Sequence, residues 1–194
     1  YGVDAVILAD FAAKYASGKP KRIVDLGTGT GIIPLILSYK TQAELIAGVE
    51  LQQASYERAC RNAEMNQLQE RIHFFHSDVK DAAVGKLAFL KGSADVVTTN
   101  PPYMPSLGGL TNANSAKAIA RHETSAGLED FFACAAALLK PRGDLFMVHR
   151  PSRLADICCF ARQYGLEPKR LCFVSPNVKK APNIILVHCV KGGG

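Results

Sequence analysis

The sequence predicts an α/β fold built on a mostly parallel β-sheet. Short apolar runs typical of buried strands alternate with longer amphipathic or apolar segments typical of helices. This alternation indicates parallel strands with helices on both faces of the sheet. The last two predicted strands follow one another without a helix between them, which predicts an antiparallel hairpin at one edge.

The elements follow in a regular order. Apolar side chains recur every four residues from Val3 to Tyr15 and predict a first amphipathic helix. Seven strands are predicted at residues 22–26, 45–50, 72–76, 94–99, 145–149, 170–174 and 184–190. Further helices are predicted at residues 32–39, 52–66, 125–139 and 152–164. A long irregular segment covers residues 101–124, a length that is typical of functional loops in compact domains.

The composition is that of a folded protein. Hydrophobic residues make up 48% and charged residues 21% of the 194 positions, which excludes a disordered tail, a collagen-like chain and a coiled coil. The length predicts one domain over residues 1–194. The six cysteines contain no CxxC pair, so we expect buried, reduced thiols and no metal site or disulfide framework.

The longest uncharged apolar stretch, residues 26–39, is interrupted by three glycines and one proline. It is too short to span a membrane. With no signal peptide visible and reduced thiols expected, the predicted location is cytoplasmic. The chain begins at Tyr1 without a methionine and ends in three glycines, so we expect both natural termini to be truncated.

Positive charge is concentrated in the second half of the chain. Residues 1–100 hold 11 basic and 11 acidic residues, whereas residues 101–194 hold 12 basic and 6 acidic residues. A one-sided basic excess is typical of proteins that bind a polyanion, nucleic acid first. Solubility alone would also account for such an excess.

A glycine-rich turn lies between the first predicted strand and the following helix. Glycines at such a turn let the backbone approach a ligand at a helix N-terminus. The spacing is GxGxG, preceded by Asp25; the dinucleotide pattern would require glycine where Ile32 stands, and no Lys-Ser/Thr pair follows to make a P-loop. The candidate residues of this turn are Asp25, Gly27, Thr28, Gly29 and Gly31.

Two acidic residues follow the turn at the ends of the next strands. Glu50 ends the second predicted strand, 19 residues after Gly31, where a carboxylate can accept both hydroxyls of a ribose. Asp78 follows the third strand, where a carboxylate can accept from an adenine amino group.

The tetrapeptide Asn100-Pro101-Pro102-Tyr103 follows the fourth predicted strand. Prolines fix the backbone and remove two donors. The Asn100 amide oxygen and the Pro101 carbonyl form a pair of acceptors suited to one planar amino group. Tyr103 can stack on a flat substrate. We therefore treat all four residues as candidate catalytic residues and Tyr103 also as a substrate-binding residue.

The turn, the two acids and the tetrapeptide together resemble the class I methyltransferases, which bind S-adenosylmethionine. The resemblance implies a Rossmann-like domain with a seven-stranded sheet. It also implies that Asp25 and Gly27 contact the methionine part of the cofactor, Glu50 the ribose and Asp78 the adenine. Leu51, Val79 and Asn100 complete the implied cofactor site.

Asn-Pro-Pro-Tyr is shared by enzymes that methylate planar amino groups. In this chain it is followed about twenty residues later by Ala-Arg-His-Glu, and this pair resembles the bacterial tRNA (adenine-N6) methyltransferases that act on adenine 37 of valine tRNA. The resemblance implies an RNA substrate, most simply tRNA. Residues proposed to contact that RNA are Arg121, His122, Lys179 and Lys180.

Other interpretations stay open at this point. The tetrapeptide is also found in enzymes that methylate glutamine N5 of release factors and guanine N2 of rRNA. A binding module that has lost methyl transfer and a nicotinamide oxidoreductase are further alternatives; an intact amine-binding tetrapeptide disfavours the former and Ile32 the latter. The sequence gives no oligomeric state.

Overall fold

The computed structural model of the protein describes residues 2–103 and 126–194. Seven strands within these ranges form one sheet, and they are β1 (Arg22–Leu26), β2 (Leu45–Glu50), β3 (Ile72–His76), β4 (Ala94–Thr99), β5 (Leu139–His149), β6 (Leu166–Val174) and β7 (Ile184–Lys191). The helices are α1 (Val3–Tyr15), α2 (Ile32–Lys40), α3 (Gln53–Met65), α4 (Val79–Ala82), α5 (Leu128–Leu138) and α6 (Leu154–Gln163). Short 3-10 helices cover Ala88–Leu90 and Pro151–Arg153.

The strands lie in the order β3-β2-β1-β4-β5-β7-β6. Strands β1 to β5 pair in parallel, and β7 pairs antiparallel with β5 and with β6. The chain moves outward from β1 to β3 and then returns to β4 on the other side of β1. At such a reversal a crevice opens beyond the carboxyl ends of the strands. The order confirms the predicted α/β fold, its seven strands and its edge hairpin.

Helices cover both faces of the sheet. On one face, Leu8 of α1 and Leu37 of α2 pack in a cluster with Phe146 of β5. On the other face, Phe132 of α5 and Ile157 of α6 belong to a second cluster. Each of these side chains is 3% exposed or less, and burying a large apolar side chain contributes about 1.5–3 kcal/mol. The sheet is therefore a firmly packed support for groups at its carboxyl edge.

Strand β5 differs from the prediction, which placed its start at Leu145. It begins at Leu139, directly after α5 ends, because Leu139 pairs with Ala94 of β4. The pairing then shifts register before Asp144, and Arg142 in this bulge takes a positive φ of 65°. The Lys-Pro-Arg-Gly sequence is thus an irregularity inside a paired strand, not a loop after the helix.

Strand β6 also begins earlier than predicted, at Leu166. A second register shift follows Pro168: Pro168 pairs with Cys189, and the next pair is Arg170 with His188. Proline is tolerated there because β6 is an edge strand and the bulge needs no donor. The remaining strands coincide with their predicted ranges or end within one residue of them. Among the described residues no helix is both long enough and apolar enough to cross a membrane.

Candidate cofactor and substrate site

A cavity of about 340 Å³ opens at the carboxyl edge of the sheet, near the strand reversal. Its lining includes seven residues that the sequence singled out, namely Gly27, Glu50, Leu51, Asp78, Val79, Asn100 and Pro102. Three further lining residues were not predicted, namely Gln52, Ala126 and Phe131. Predicted residues from four separate turns therefore line one space. The other predicted residues in the described ranges near this edge are not among its lining, namely Asp25, Thr28, Gly29, Gly31, Pro101 and Tyr103.

The glycine-rich turn is held against β2 and opens into α2. Thr28 donates its backbone N–H to the Val49 carbonyl at 2.8 Å, which fixes the turn to the neighbouring strand. Gly31 is the N-cap of α2 with a φ of 82°, and a Cβ there would meet the Phe74 ring at 2.6 Å. A side chain at Gly27 would stand 3.4 Å from the Phe131 ring. Gly31 therefore requires glycine for both its backbone shape and the space beside it. At Gly27 the added Cβ would make an ordinary contact, and it is the φ of 70° that favours glycine.

Glu50 ties two parts of the site together. Its carboxylate accepts the backbone N–H of Gly29 at 2.8 Å through one oxygen and that of Gln52 at 2.8 Å through the other. The side chain is 8% exposed. A carboxylate has about four acceptor positions, so two remain after these bonds. Glu50 thus shapes the turn and still presents acceptors to the cavity that it lines.

Asp25 lies beneath the turn and not in the cavity lining. It is fully buried, and Thr98 of β4 donates its hydroxyl to Oδ1 at 2.7 Å. Burial raises the pKa of Asp25 to about 7; the hydrogen bond from Thr98 opposes this shift and the Glu50 charge adds to it. Oδ2 of Asp25 and the hydroxyl of Thr28 have no hydrogen-bond partner among the described residues. Direct contact of Asp25 with a cofactor stays a prediction, and its observed contact is with β4.

Asp78 caps the short helix α4 at the opposite side of the cavity. Its Oδ1 accepts the backbone N–H of Lys80 at 2.9 Å, and its Oδ2 lies 3.7 Å from the Lys80 ammonium. The next residue, Val79, is buried against the same cavity. A carboxylate beside an apolar side chain suits a flat ring with an amino group at its edge.

The tetrapeptide stands at the end of β4 because that strand is bonded to β1. The hydroxyl of Thr99 donates to the Leu26 carbonyl at 2.9 Å, and Thr98 reaches Asp25 as described. These buried bonds bring Asn100 beside Gly27 at one cavity wall. Pro101 is buried, and Pro102 is exposed and lines the cavity. The Tyr103 hydroxyl turns toward α1 and donates to Asp4 at 2.7 Å, a partner that the sequence did not indicate.

The predicted RNA-binding residues fall in two places. Lys179 and Lys180 are exposed in the turn between β6 and β7. Because Val174 pairs with Ile184 and His149 with Ile185, this turn lies at the same edge of the sheet as the cavity. Arg121 and His122 lie outside the described residues. Within the described ranges, no cluster of three or more His, Cys, Asp or Glu side chains is placed to hold a metal ion.

Comparison with known proteins decides the family. The profile of the methyltransferase small domain matches residues 5–155. The chain belongs to this family. Over 186 residues it is 31% identical to the tRNA1(Val) (adenine(37)-N6)-methyltransferase of Porphyromonas gingivalis W83, an alignment that covers 95% of this chain and 72% of the relative.

Solved structures agree with the family at the level of the fold. A predicted O-methyltransferase of Agrobacterium tumefaciens superimposes with a TM-score of 0.75 at 25% identity, over 98% of this chain and 81% of the other. Geranyl diphosphate C-methyltransferase of Streptomyces coelicolor, solved with S-adenosyl-L-homocysteine, gives a TM-score of 0.68 at 13% identity over 96% and 80%. The prediction of a class I methyltransferase that uses S-adenosylmethionine is confirmed.

Proposed function

We propose that this methyltransferase small domain transfers a methyl group to the exocyclic N6 amine of adenine in tRNA. The observation that carries the proposal is that the tetrapeptide contributes Asn100 and Pro102 to the lining of the cavity that Gly27, Glu50 and Asp78 also line. The name of the Porphyromonas gingivalis relative supports adenine in tRNA over glutamine in a release factor or guanine in rRNA. We further propose that the chain is one domain that acts in the cytoplasm.

The cavity suits S-adenosylmethionine in its chemistry. Glu50 has two acceptor positions left for the ribose hydroxyls. Asp78 with Val79 offers an acceptor and an apolar face to the adenine, and the glycine turn lets backbone N–H groups approach the methionine part. The bound cofactor supplies a methyl group made electrophilic by its sulfonium.

Asn100 and Pro101 are proposed to hold the substrate amine. Both hydrogens of a planar NH2 group are accepted, one by the Asn100 amide oxygen and one by the Pro101 carbonyl. With both hydrogens held, the nitrogen lone pair points out of the plane toward the cavity. The Pro-Pro sequence keeps these acceptors in place, so positioning and electrostatics lower the barrier. N6 takes the methyl group as its bond to sulfur breaks, and N6 then gives up one proton to water, so no strong general base is required. An adenine stacked in a loop would have to be flipped out to reach these acceptors.

The basic surface supports a polyanionic substrate. Lys179 and Lys180 stand at the cavity edge of the sheet, and the excess of 12 basic over 6 acidic residues belongs to residues 101–194. We propose that these lysines contact the tRNA backbone, where each neutralised phosphate adds salt-dependent affinity. Arg121 and His122 are proposed to join them next to the target base.

The test is methyl transfer from labelled S-adenosylmethionine to unmodified bulk tRNA, followed by digestion and mass spectrometry of the nucleosides. The proposal expects N6-methyladenosine. Asn100→Ala should lose transfer while the protein still binds the cofactor, as measured by calorimetry, because the amide is proposed to hold the substrate amine. Asn66→Ala, an exposed position at the end of α3, is the matched control. Retained transfer in Asn100→Ala, or another methylated nucleoside, would contradict the proposal.

A further inference from the structure

Tyr103 has three side-chain partners that lie outside the tetrapeptide. Its hydroxyl donates to Asp4 Oδ2 at 2.7 Å. The Arg150 guanidinium lies 4.6 Å from the ring centroid, over its face. The His149 imidazole packs edge-on with 5.1 Å between centroids and an interplanar angle of 65°. The phenol is therefore bonded through its hydroxyl and contacted at its ring by two further side chains.

The three groups come from separate parts of the fold. Asp4 is in the first turn of α1, 99 positions from Tyr103 along the chain. His149 ends β5, and Arg150 follows it and donates from its guanidinium to the Asn183 carbonyl at 3.1 Å. Tyr103 thus connects α1 with the end of β5, and Arg150 extends the connection to the turn before β7. A residue at the start of α1 thereby contacts the last residue of the tetrapeptide.

The surroundings of Tyr103 keep its hydroxyl protonated, so that it donates a hydrogen bond. Burial raises the pKa of Tyr103 well above its usual value, and the Asp4 carboxylate raises it further. Burial also lowers the pKa of His149 to about 4, so its ring is neutral at neutral pH. His149 Nδ1 accepts the backbone N–H of Arg150 at 2.8 Å, which leaves the proton on Nε2. The ring of Tyr103 consequently faces one permanent cation, one neutral imidazole and one acceptor.

We propose that Asp4 is a positioning residue for methyl transfer: it fixes the Tyr103 ring, through the phenol hydroxyl, in the orientation that stacks on the target base. This inference rests on the proposed function. A stacking ring that is already oriented orders the substrate without further loss of freedom, and small errors of position are costly in transfer reactions. The hydrogen bond to Asp4 sets the direction of the ring axis, and Arg150 limits rotation about it.

The alternative is that Asp4 only stabilises the start of α1, where an acidic side chain favours the helix dipole. A double-mutant cycle separates the two roles. The variants are Asp4→Ala, Tyr103→Phe and the pair combined, with Asp4→Asn as the conservative change because its amide oxygen still accepts from the phenol. Asp10→Ala is the matched control, since Asp10 lies on the same helix and pairs at 2.9 Å with the exposed Lys40.

The assay is single-turnover methyl transfer to tRNA at saturating cofactor and RNA, with cofactor affinity measured in parallel. Losing a hydrogen bond to a charged group predicts a rate about tenfold lower or more for Asp4→Ala and for Tyr103→Phe. The double variant should be no slower than either single variant, Asp4→Asn should recover most of the rate, and cofactor affinity should not change.

If the rate losses of Asp4→Ala and Tyr103→Phe added up in the double variant, the positioning role of Asp4 would be overturned. Equal rates for Asp4→Ala and the unsubstituted protein would overturn it too. Neither result would touch the proposed function. If the unsubstituted protein forms no N6-methyladenosine in tRNA, the proposed function fails and this inference fails with it.

Discussion

Glu50→Gln removes one acceptor from a side chain that uses both of its oxygens. Gly29 and Gln52 each donate a backbone N–H to a different carboxylate oxygen at 2.8 Å. An amide has only one oxygen, so in either orientation its NH2 group faces one of these two donors. One N–H is left unpaired in a side-chain environment that is 8% exposed. An unpaired buried donor costs about 1–3 kcal/mol, which is the expected loss in the free energy of unfolding.

The same substitution should weaken cofactor binding. The amide that replaces the Glu50 carboxylate offers no acceptor of full negative charge to the ribose hydroxyls, and a hydrogen bond to a charged group contributes about 1.5–3 kcal/mol. That range corresponds to a dissociation constant for S-adenosylmethionine about 10- to 150-fold higher.

The assays are urea unfolding, monitored by circular dichroism, and calorimetric titration with S-adenosylmethionine. Glu44→Gln is the control, because Glu44 is exposed and its carboxylate pairs with Lys21 at 2.7 Å in solvent. An exposed ion pair contributes little, so this variant should stay within about 0.5 kcal/mol of the unsubstituted protein. If Glu50→Gln were as stable and bound the cofactor as tightly as Glu44→Gln, the role given to Glu50 would be wrong.

Two further predictions concern the glycine turn and the acid beneath it. Gly31→Ala should lower the free energy of unfolding by about 1–3 kcal/mol more than Gly18→Ala does. Both glycines have a positive φ, but only at Gly31 would an added Cβ meet a ring, that of Phe74 at 2.6 Å. Equal losses in urea unfolding would contradict the steric argument. Asp25 has its pKa raised to about 7 in the folded protein, so the unfolded state loses its proton first and stability falls as pH rises from about 4 to 7. Asp25→Asn should flatten this fall, and an unchanged difference in unfolding free energy between pH 5 and pH 7.5 would show that Asp25 does not cause it.

The sequence predicted those parts of the fold that depend on local pattern. Strands β1 to β4 are short apolar runs bounded by turns, and their ranges agree with the structure. The start of β5 was missed because Pro141 and Gly143 are typical of loops, whereas pairing of Leu139 with Ala94 extends the strand. Tertiary pairing thus outweighs local propensity at this bulge.

Site residues were predictable where their position after a strand in the sequence indicates their role. They were not predictable where packing brings together segments that are distant in the sequence. Glu50 and Asp78 follow strands in sequence and line the cavity with Asn100. Phe131 lies in an apolar helix, where nothing separates a core residue from a cavity residue. Asp4 reaches Tyr103 only because α1 packs beside β5, a contact that no local pattern encodes.

The tetrapeptide that begins at Asn100 is proposed to receive an adenine amine of tRNA. The sharpest test compares two unmodified valine tRNA transcripts that differ only at position 37, one with adenine and one with guanine, as acceptors of labelled methyl groups. From the name of the Porphyromonas gingivalis relative we propose adenine 37 as the target, and we expect one N6-methyladenosine per transcript with adenine 37 and none with guanine 37. Equal labelling of both transcripts, or labelling of neither while the protein binds S-adenosylmethionine, would show that the tetrapeptide does not serve this substrate.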